Sequence, residues 1–192
     1  MNAIETTYNG VTFRSRLEAR WAVLFDVIGW SWTYEPFDAH GYIPDFLING
    51  ERPMLVEVKP AATIPDLLAH VNRLKDALRD WNHDVLLVGV SPLMPEASPI
   101  DFFPAAGVLL ENELEYFFTD KVPDRKARYT KDIGRWHRCN ACRLVAVHHD
   151  SSSWASRPCG CYDGDHYLGK FDYDLEHVWR HTADPTRWVA AR

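Results

Sequence analysis

Three ionisable residues lie inside two short apolar runs that flank a turn. Asp45 lies in the first run and Glu57 and Lys59 lie in the second, with Asn49 and Gly50 between the runs. An Asn-Gly pair between apolar runs is typical of a β-hairpin. Because side chains alternate along a strand, Glu57 and Lys59 share one face, and a suitable register brings Asp45 opposite them. We therefore expect two carboxylates and an ammonium group to converge on an otherwise apolar sheet.

Such a convergence points to metal chemistry. Two carboxylates held close together repel each other and resist burial, and a divalent cation removes both penalties. Hard oxygen ligands suit Mg²⁺ or Mn²⁺, which also bind phosphate oxygens. Lys59 would orient the attacking water or offset charge that develops on a phosphate. The pattern therefore predicts hydrolysis of a phosphodiester, and the alternative is a surface hairpin with an ordinary ion pair between Glu57 and Lys59.

The elements that must position these residues follow from the apolar periodicity. A helix is predicted over residues 14–29 and a strand over 31–37, before the two strands of the hairpin. A second helix is predicted over 64–81 and a further strand over 84–90. A strand–helix–strand connection places its two strands parallel and is right-handed. This order predicts an α/β fold in which helices flank a mixed sheet.

Pro44-Asp45 followed by Glu57-Val58-Lys59 resembles the signature of the PD-(D/E)XK nuclease superfamily. The resemblance extends upstream to residues 13–22 and 32–36. Together these segments are similar to small phage and actinobacterial nucleases of the superfamily, and to the amino-terminal region of transposase endonuclease subunits. The resemblance covers roughly the first half of the chain, and it implies a restriction-endonuclease-like αβββαβ core within residues 1–104.

The resemblance implies a metal-dependent DNA endonuclease. Asp45 and Glu57 would bind the catalytic Mg²⁺ or Mn²⁺ with the Val58 carbonyl as a further ligand, and Lys59 would assist the attacking water. DNA would be the partner, and a homodimer or contacts with other phage or recombination proteins stay open. Two other functions also stay open. One is a non-catalytic nucleic-acid-binding or regulatory zinc protein on the same fold, and the other is a junction-resolving or RNA-cleaving nuclease.

Glu18 has two interpretations. The resemblance implies that it completes the metal site as a further carboxylate, and its place beside the apolar stripe of the first helix allows it to face the sheet. Alternatively, Ser15 and Glu18 have the spacing of a capping box, in which the carboxylate accepts a hydrogen bond from the backbone N–H of Ser15. Both interpretations are kept as hypotheses.

All four cysteines fall in one short stretch, as two close pairs. They are Cys139, Cys142, Cys159 and Cys161. Two close pairs of soft ligands predict a tetrahedral structural Zn²⁺ site in a zinc-ribbon-like element, with no open position for catalysis. Two disulfides are the alternative, which an intracellular location disfavours. His137, His148 or His149 could also replace one cysteine as a ligand.

Residues 105–192 are predicted to form a second unit. Its parts are a hairpin that turns at Glu111 and Asn112, a basic segment, the cysteine element and C-terminal helices. Eight basic and two acidic residues lie between positions 121 and 143. Basic residues neutralise phosphates and aromatic rings stack on bases, so this segment is a candidate DNA-binding surface, with a solvated charged linker as the alternative. Its candidate contacts are Arg125, Lys126, Arg128, Lys131, Arg135, Trp136 and Arg138.

Length and composition narrow the class of protein. The chain has 192 residues and a net charge of −6, which argues against a protein that coats DNA through charge alone. The sequence lacks the pattern of a signal peptide and any apolar run of the roughly 20 residues that a membrane span requires. We therefore expect a soluble cytoplasmic protein, in the host cytoplasm if it is phage-encoded, that makes no contact with a membrane.

Overall fold

The computed structural model describes residues 4–95, 103–112, 129–149, 156–161, 171, 173–182 and 189–190. These residues form an α/β fold with a mixed seven-stranded sheet and a smaller three-stranded sheet. The helices are α1 (Arg16–Ile28), α2 (Ile64–Leu68), α3 (Val71–Ala77) and α4 (Leu175–His181). The strands are β1 (Thr6–Tyr8), β2 (Val11–Phe13), β3 (Trp32–Tyr34), β4 (Phe46–Ile48), β5 (Met54–Val58), β6 (Asp84–Val88), β7 (Ala105–Asn112), β8 (Tyr129–Arg138), β9 (Val145–His149) and β10 (Val189–Ala190). No described helix combines the length and apolar character that crossing a membrane requires.

The large sheet runs in the order β3-β4-β5-β6-β7-β8-β9. Strands β5 and β6 are parallel, and every other neighbouring pair in this sheet is antiparallel. The predicted hairpin is β4–β5, and the predicted crossover from β5 to β6 passes through α2 and α3. The mixed sheet expected from the order of elements is therefore confirmed.

The predicted helix over residues 64–81 was wrong in one respect, because the chain forms two shorter helices. Thr63 caps α2 through a reciprocal capping box with Asp66. At the break, the N–H of His70 donates to the carbonyl of Leu67, which is a tighter turn than that of an α-helix. His70 lies at this junction and lines a cavity together with Val58 and Lys59 at the end of β5.

The sheet continues past residue 104. Strand β7 runs through Glu111 and Asn112, so the hairpin turn predicted at those two residues was wrong. Every residue of β7 is buried, and it pairs with β6 on one side and with β8 on the other. The strands expected to open a second unit therefore extend the same sheet. The predicted partner strand over residues 114–118 lies outside the described residues.

Helices cover both faces of the large sheet. On one face α1 and α4 pack over an aromatic cluster that includes Trp21, Phe25 and Phe46. On the other face α2 and α3 pack over the side chains of Leu55, Val85 and neighbouring residues. Of the predicted C-terminal helices, the described residues include α4, and Trp188 lies outside them. Strand β10 pairs with β1 from the other end of the chain.

Candidate functional site

Asp45 and Glu57 face each other where the β4–β5 hairpin opens. The observed register pairs Phe46 with Val56, so the next residues along the two strands, Asp45 and Glu57, are directly opposed. Asp45 is 4% exposed and Glu57 is 3% exposed. The Val58 N–H donates to Asp45 Oδ2 at 2.8 Å, and the Asp45 N–H donates to Glu57 Oε2 at 3.3 Å. Side chains thus replace the backbone hydrogen bonds at this end of the hairpin, which holds both carboxylates in place.

Lys59 lies on the same face as Glu57, as the strand alternation predicts. Its Nζ donates to Glu57 Oε1, and its backbone N–H donates to the Val88 carbonyl at 2.9 Å. The backbone bond continues the parallel pairing of β5 with β6 and fixes the position from which the side chain extends. The ammonium group is partly exposed, since 24% of the Lys59 side chain is accessible. The ammonium group therefore contacts the buried Glu57 carboxylate on one side and solvent on the other.

Glu18 approaches the same place from α1. Its Oε1 accepts a hydrogen bond from the Ser15 hydroxyl at 2.7 Å, and its Oε2 accepts one from the Tyr34 hydroxyl at 2.6 Å. Ser15 caps the helix by accepting from the Glu18 N–H. The described hydrogen bonds include none from the Ser15 backbone N–H to the carboxylate, so the capping-box form predicted from the spacing is incomplete. The carboxylate is instead held at the edge of the site by two hydroxyl groups.

Arg14 enters the site from the residue just before the helix cap. Its Nη2 donates to Asp45 Oδ1 at 2.7 Å, and its Nε lies 2.9 Å from Glu35 Oε1. About half of the Arg14 side chain is exposed. The sequence analysis did not assign Arg14 or Glu35 to the site, and the structure joins both of them to Asp45, Arg14 through its guanidinium group and Glu35 through its backbone N–H. The signal was that Arg14 directly precedes the cap of the helix that carries Glu18.

The carboxylates line a half-open cavity of about 530 Å³. It is lined by Arg14, Glu18, Gly41, Tyr42, Ile43, Asp45, Glu57, Val58, Lys59, His70, Arg73 and Leu74. Tyr42 and Arg73 are the members that sequence reasoning missed. Arg73 lies one helical turn after His70, so the two share a face of the α2–α3 junction. His70 and Arg73 thus place two polar side chains of this junction in the cavity, whereas Asn72 and Lys75 do not line it.

Burial changes the ionisation of this site. Burial raises the pKa of Asp45 to about 7, and the neighbouring Glu57 carboxylate adds to the rise. The pKa of an aspartate side chain in the unfolded chain is about 3.9. The folded protein therefore holds the Asp45 proton more tightly than the unfolded chain, and ionising Asp45 destabilises the fold as pH rises from about 4 to about 7. At neutral pH and above, the protein keeps a costly buried charge here.

The four cysteines form one cluster at the far end of the sheet. Their Sγ atoms all lie within 4.8 Å of one another, which is close enough to hold a metal ion such as zinc. The four are free thiols, so the predicted alternative of two disulfides is not what the structure has. Neither His137 nor His148 belongs to this group, and the side chain of His149 lies outside the described residues.

Two tight turns present the cysteine thiols. The first follows β8, where the Cys139 N–H donates to the Leu144 carbonyl and the Arg143 N–H donates to the Cys139 carbonyl. Burial opposes ionisation of Cys139, but the backbone N–H groups of Cys142 and Ala141 outweigh it and lower the pKa of this thiol to about 7. A lowered thiol pKa favours the thiolate, which is the form that binds metal. The second turn contains Cys159 and Cys161.

The second cysteine turn packs against the β4–β5 hairpin. A Cβ atom on Gly160 would lie 2.6 Å from the Cβ of Glu51, and one on Gly50 would overlap the carbonyl of Pro158. The Pro158 carbonyl also accepts a hydrogen bond from the Arg52 N–H at 3.1 Å. Since Arg52 is five residues before Glu57, this contact lies about 17 Å along the strand from the carboxylates.

Buried ion pairs hold the same turn to the sheet. Arg157 is fully buried, donates through Nε to Asp84 Oδ2, and donates through Nη2 to Glu111 Oε1 at 2.5 Å. It also exchanges two backbone hydrogen bonds with Val147 in β9. Arg157 thus connects the cysteine turn to the start of β6 and to β7. The cysteine cluster is part of the folded core and not a separate appendage.

The structure describes four of the seven predicted DNA contacts, and these four differ in exposure. Arg125, Lys126 and Arg128 lie outside the described residues. Trp136 is fully buried, with its Nε1 donating to the Pro92 carbonyl, and Arg135 is 2% exposed. As placed, these two residues do not reach a DNA strand, because alternating side chains of β8 pack inside the protein on both faces of the sheet.

The remaining two predicted contacts are closer to solvent. Lys131 is exposed, and Arg138 is partly exposed with its guanidinium 5.5 Å from the Tyr173 ring. Arg20 on α1 is committed elsewhere, since its guanidinium group stacks on the Trp179 ring and donates to the Trp179 carbonyl. It joins α1 to α4.

Comparison with protein-family models, with curated proteins and with solved structures returned no match for this chain.

Proposed function

We propose that this protein is a DNA endonuclease that requires Mg²⁺ or Mn²⁺ and has a PD-(D/E)XK core formed by α1, β3–β5, α2–α3 and β6. The observation that carries the proposal is the opposed pair of buried carboxylates, Asp45 and Glu57, with the Lys59 ammonium group bonded to one of them. All three line a half-open cavity that a nucleic-acid strand can reach. The order of elements and the parallel pairing of β5 with β6 support the proposed core.

The residues present fit a hard divalent cation. Asp45, Glu57 and Glu18 offer carboxylate oxygens to one cavity, which are the ligands that Mg²⁺ and Mn²⁺ prefer. Burial and the neighbouring Glu57 charge raise the pKa of Asp45, and a bound cation would favour the ionised form of both carboxylates. The Tyr42 hydroxyl is buried beside Glu57, and burial together with the charge of Glu57 and a hydrogen bond to it raises the pKa of Tyr42. A buried hydroxyl beside two carboxylates adds a further polar group to the wall of this site.

Each residue then has a defined task. The Asp45 and Glu57 carboxylates hold the cation, with the Val58 carbonyl and Glu18 as further candidate ligands. When bound, the cation supplies acidification of the attacking water and neutralisation of the phosphate charge. The Lys59 ammonium group stabilises the negative charge that develops on the phosphate and orients the attacking water. Tyr42, His70 and Arg73 form the wall against which the substrate backbone lies.

The cysteine cluster is proposed to hold a structural Zn²⁺. Four thiols in two tight turns complete a tetrahedral set, and such a set leaves no position for substrate. Because the cysteine cluster contacts the β4–β5 turn, it would support the hairpin that carries Asp45 and Glu57. We propose that any contact of this half of the protein with DNA is made by exposed basic residues such as Lys131, and not by the thiols.

The proposal is tested by DNA cleavage with and without Mg²⁺. The purified protein with its cysteine cluster loaded is expected to cut DNA only when Mg²⁺ or Mn²⁺ is added, and Asp45→Asn is expected to lower the rate at least about 10³-fold. Mg²⁺ is withheld and not chelated, because a chelator would also strip the cysteine cluster. Asp45→Asn removes a costly buried charge and is expected to be at least as stable as the wild type at pH 8, so unfolding would not explain its loss of activity.

The substrate panel separates the rival functions. Linear duplex, a four-way junction, single-stranded DNA and RNA are offered in parallel, and the preferred substrate defines the class of nuclease. Asp76→Asn is the matched control, since this carboxylate is exposed on α3. If the wild type binds nucleic acid and cuts none of the four substrates with either metal, the protein is a binding protein and the proposed function is wrong.

A further inference from the structure

Both oxygens of the Asp45 carboxylate are engaged in the structure. Oδ2 accepts the Val58 N–H at 2.8 Å, which is a backbone bond inside the sheet. Oδ1 accepts Arg14 Nη2 at 2.7 Å. A backbone N–H cannot move without disturbing the hairpin, whereas the Arg14 side chain is about half exposed. Oδ1 is therefore the Asp45 oxygen that movement of one side chain can make available to a cation, and Arg14 is bonded to it.

Arg14 has a second partner that would keep it nearby. Its Nε contacts Glu35 at 2.9 Å, and Glu35 is about one-third exposed at the edge of the site. The backbone of Glu35 has a positive φ of 46°, which is uncommon for a residue other than glycine. Its own N–H donates to the Asp45 carbonyl at 2.9 Å. Glu35 is thus fixed beside Asp45 and can hold Arg14 at the mouth of the cavity after Arg14 has left Oδ1.

The charges of the site follow the same pattern. Arg14 neutralises Asp45, and Lys59 neutralises Glu57. Asp45 and Glu57 therefore each already have an internal cation bonded to them. A divalent ion beside Asp45 would repel the guanidinium group at close range, because like charges interact strongly in a partly buried site. Glu35 and Glu18 are the other carboxylates near Arg14, and a phosphate of a strand lying in the cavity would give the released guanidinium group a further anionic partner.

We propose that Arg14 is a displaceable internal cation: it occupies Asp45 while the metal position is empty, and it moves to a substrate phosphate when a divalent ion binds. This inference rests on the proposed function, because it assigns a regulatory role to the same site. It makes Arg14 a positioning residue, which acts through Asp45 and through the DNA backbone. The metal-free protein is then held in a closed, internally neutralised state.

A consequence is that metal and DNA promote each other's binding. Metal binding must compete with Arg14, so its affinity is low until Arg14 has a phosphate to contact. Thermodynamic linkage requires the reverse effect to have the same size, so a bound metal raises the affinity for DNA by the same factor. Removing the Arg14 charge is expected to strengthen metal binding in the absence of DNA and to weaken the coupling between the two ligands.

Calorimetric titration with Mn²⁺ tests the first expectation, on protein whose cysteine cluster is loaded. Arg14→Gln is expected to bind Mn²⁺ about fivefold more tightly than the wild type, which is a modest gain because the ion pair is half exposed. Arg14→Lys, which keeps a positive charge, is expected to stay near the wild type. Arg16→Gln is the matched control, since Arg16 is exposed two residues away and does not line the cavity.

The DNA arm uses Ca²⁺ as the probe cation and measures the affinity for a duplex with and without it. We expect the gain in DNA affinity that Ca²⁺ gives the wild type to fall about fivefold in Arg14→Gln. The inference would be overturned if Arg14→Gln bound Mn²⁺ no more tightly than the wild type, or if Arg16→Gln gained as much Mn²⁺ affinity as Arg14→Gln. Either result would leave the proposed metal site intact. If the wild type binds no Mn²⁺, or if its Mn²⁺ binding is unchanged in Asp45→Asn, the proposed function itself fails.

Discussion

Replacing Lys59 with methionine is expected to lower the rate of DNA cleavage by about 10²–10³-fold. The Lys59 ammonium group is bonded to Glu57 and faces the cavity where the phosphate would lie, so it acts on the charge that develops during hydrolysis. Methionine keeps the length and apolar character of the side chain while removing the charge. Single-turnover cleavage with saturating Mg²⁺ measures the effect on the chemical step.

Lys59→Met is expected to affect the rate of cleavage and not the binding of the metal. Mn²⁺ affinity is expected to remain within a fewfold of the wild type or to tighten, because Lys59 competes for Glu57 in the same way that Arg14 competes for Asp45. Lys75→Met is the control, since Lys75 lies on α3 and is not among the residues that line the cavity. Wild-type cleavage by Lys59→Met would remove this residue from the mechanism, and equal losses in both variants would indicate a general effect of charge.

Stripping the metal from the cysteine cluster is expected to lower the free energy of unfolding by about 5 kcal/mol or more. The four Sγ atoms lie within 4.8 Å of one another, so thiolates there would repel one another without a cation. The second cysteine turn supports the β4–β5 hairpin through Gly50, Arg52 and Pro158. Chemical denaturation of the loaded and the stripped protein, under reducing conditions, measures the difference.

Hydrogen exchange locates the same effect. Amides at residues 49–53 are expected to lose protection together with the cysteine turns when the metal is removed, because the two segments pack on each other. Returning Zn²⁺ is expected to restore both, and Mg²⁺ is expected to restore neither. A stripped protein with unchanged stability, or loss of protection confined to the cysteine turns, would contradict a supporting role for the cluster.

The candidate site could be predicted from the sequence because its geometry is local. Strand alternation places Glu57 and Lys59 on one face, and a hairpin turn at Asn49 and Gly50 limits the register that brings Asp45 opposite Glu57. The Gly29 terminator of α1 and the Thr63 cap of α2 were predictable for the same reason, since each depends on neighbours within a few residues.

The parts that the sequence did not reveal depend on contacts between distant segments. Arg14 could be identified as a site residue only once α1 and the end of β4 were known to meet. Trp136 lies in a basic segment, and its burial follows from the neighbouring strands of the sheet, which are distant in the sequence. The break after α2 was missed because the periodicity of apolar residues is nearly unchanged across it, although it brings His70 and Arg73 to the cavity.

The most direct measurement of the central claim is the location of Mn²⁺ in crystals of the metal-loaded protein, from anomalous scattering at the manganese absorption edge. The account predicts a manganese peak within bonding distance of carboxylate oxygens of both Asp45 and Glu57, with the Arg14 guanidinium group moved away from Asp45. It also predicts that the cysteine cluster gives no manganese signal. A manganese peak that touches neither carboxylate, or an Asp45 that stays bonded to Arg14 at saturating Mn²⁺, would contradict it.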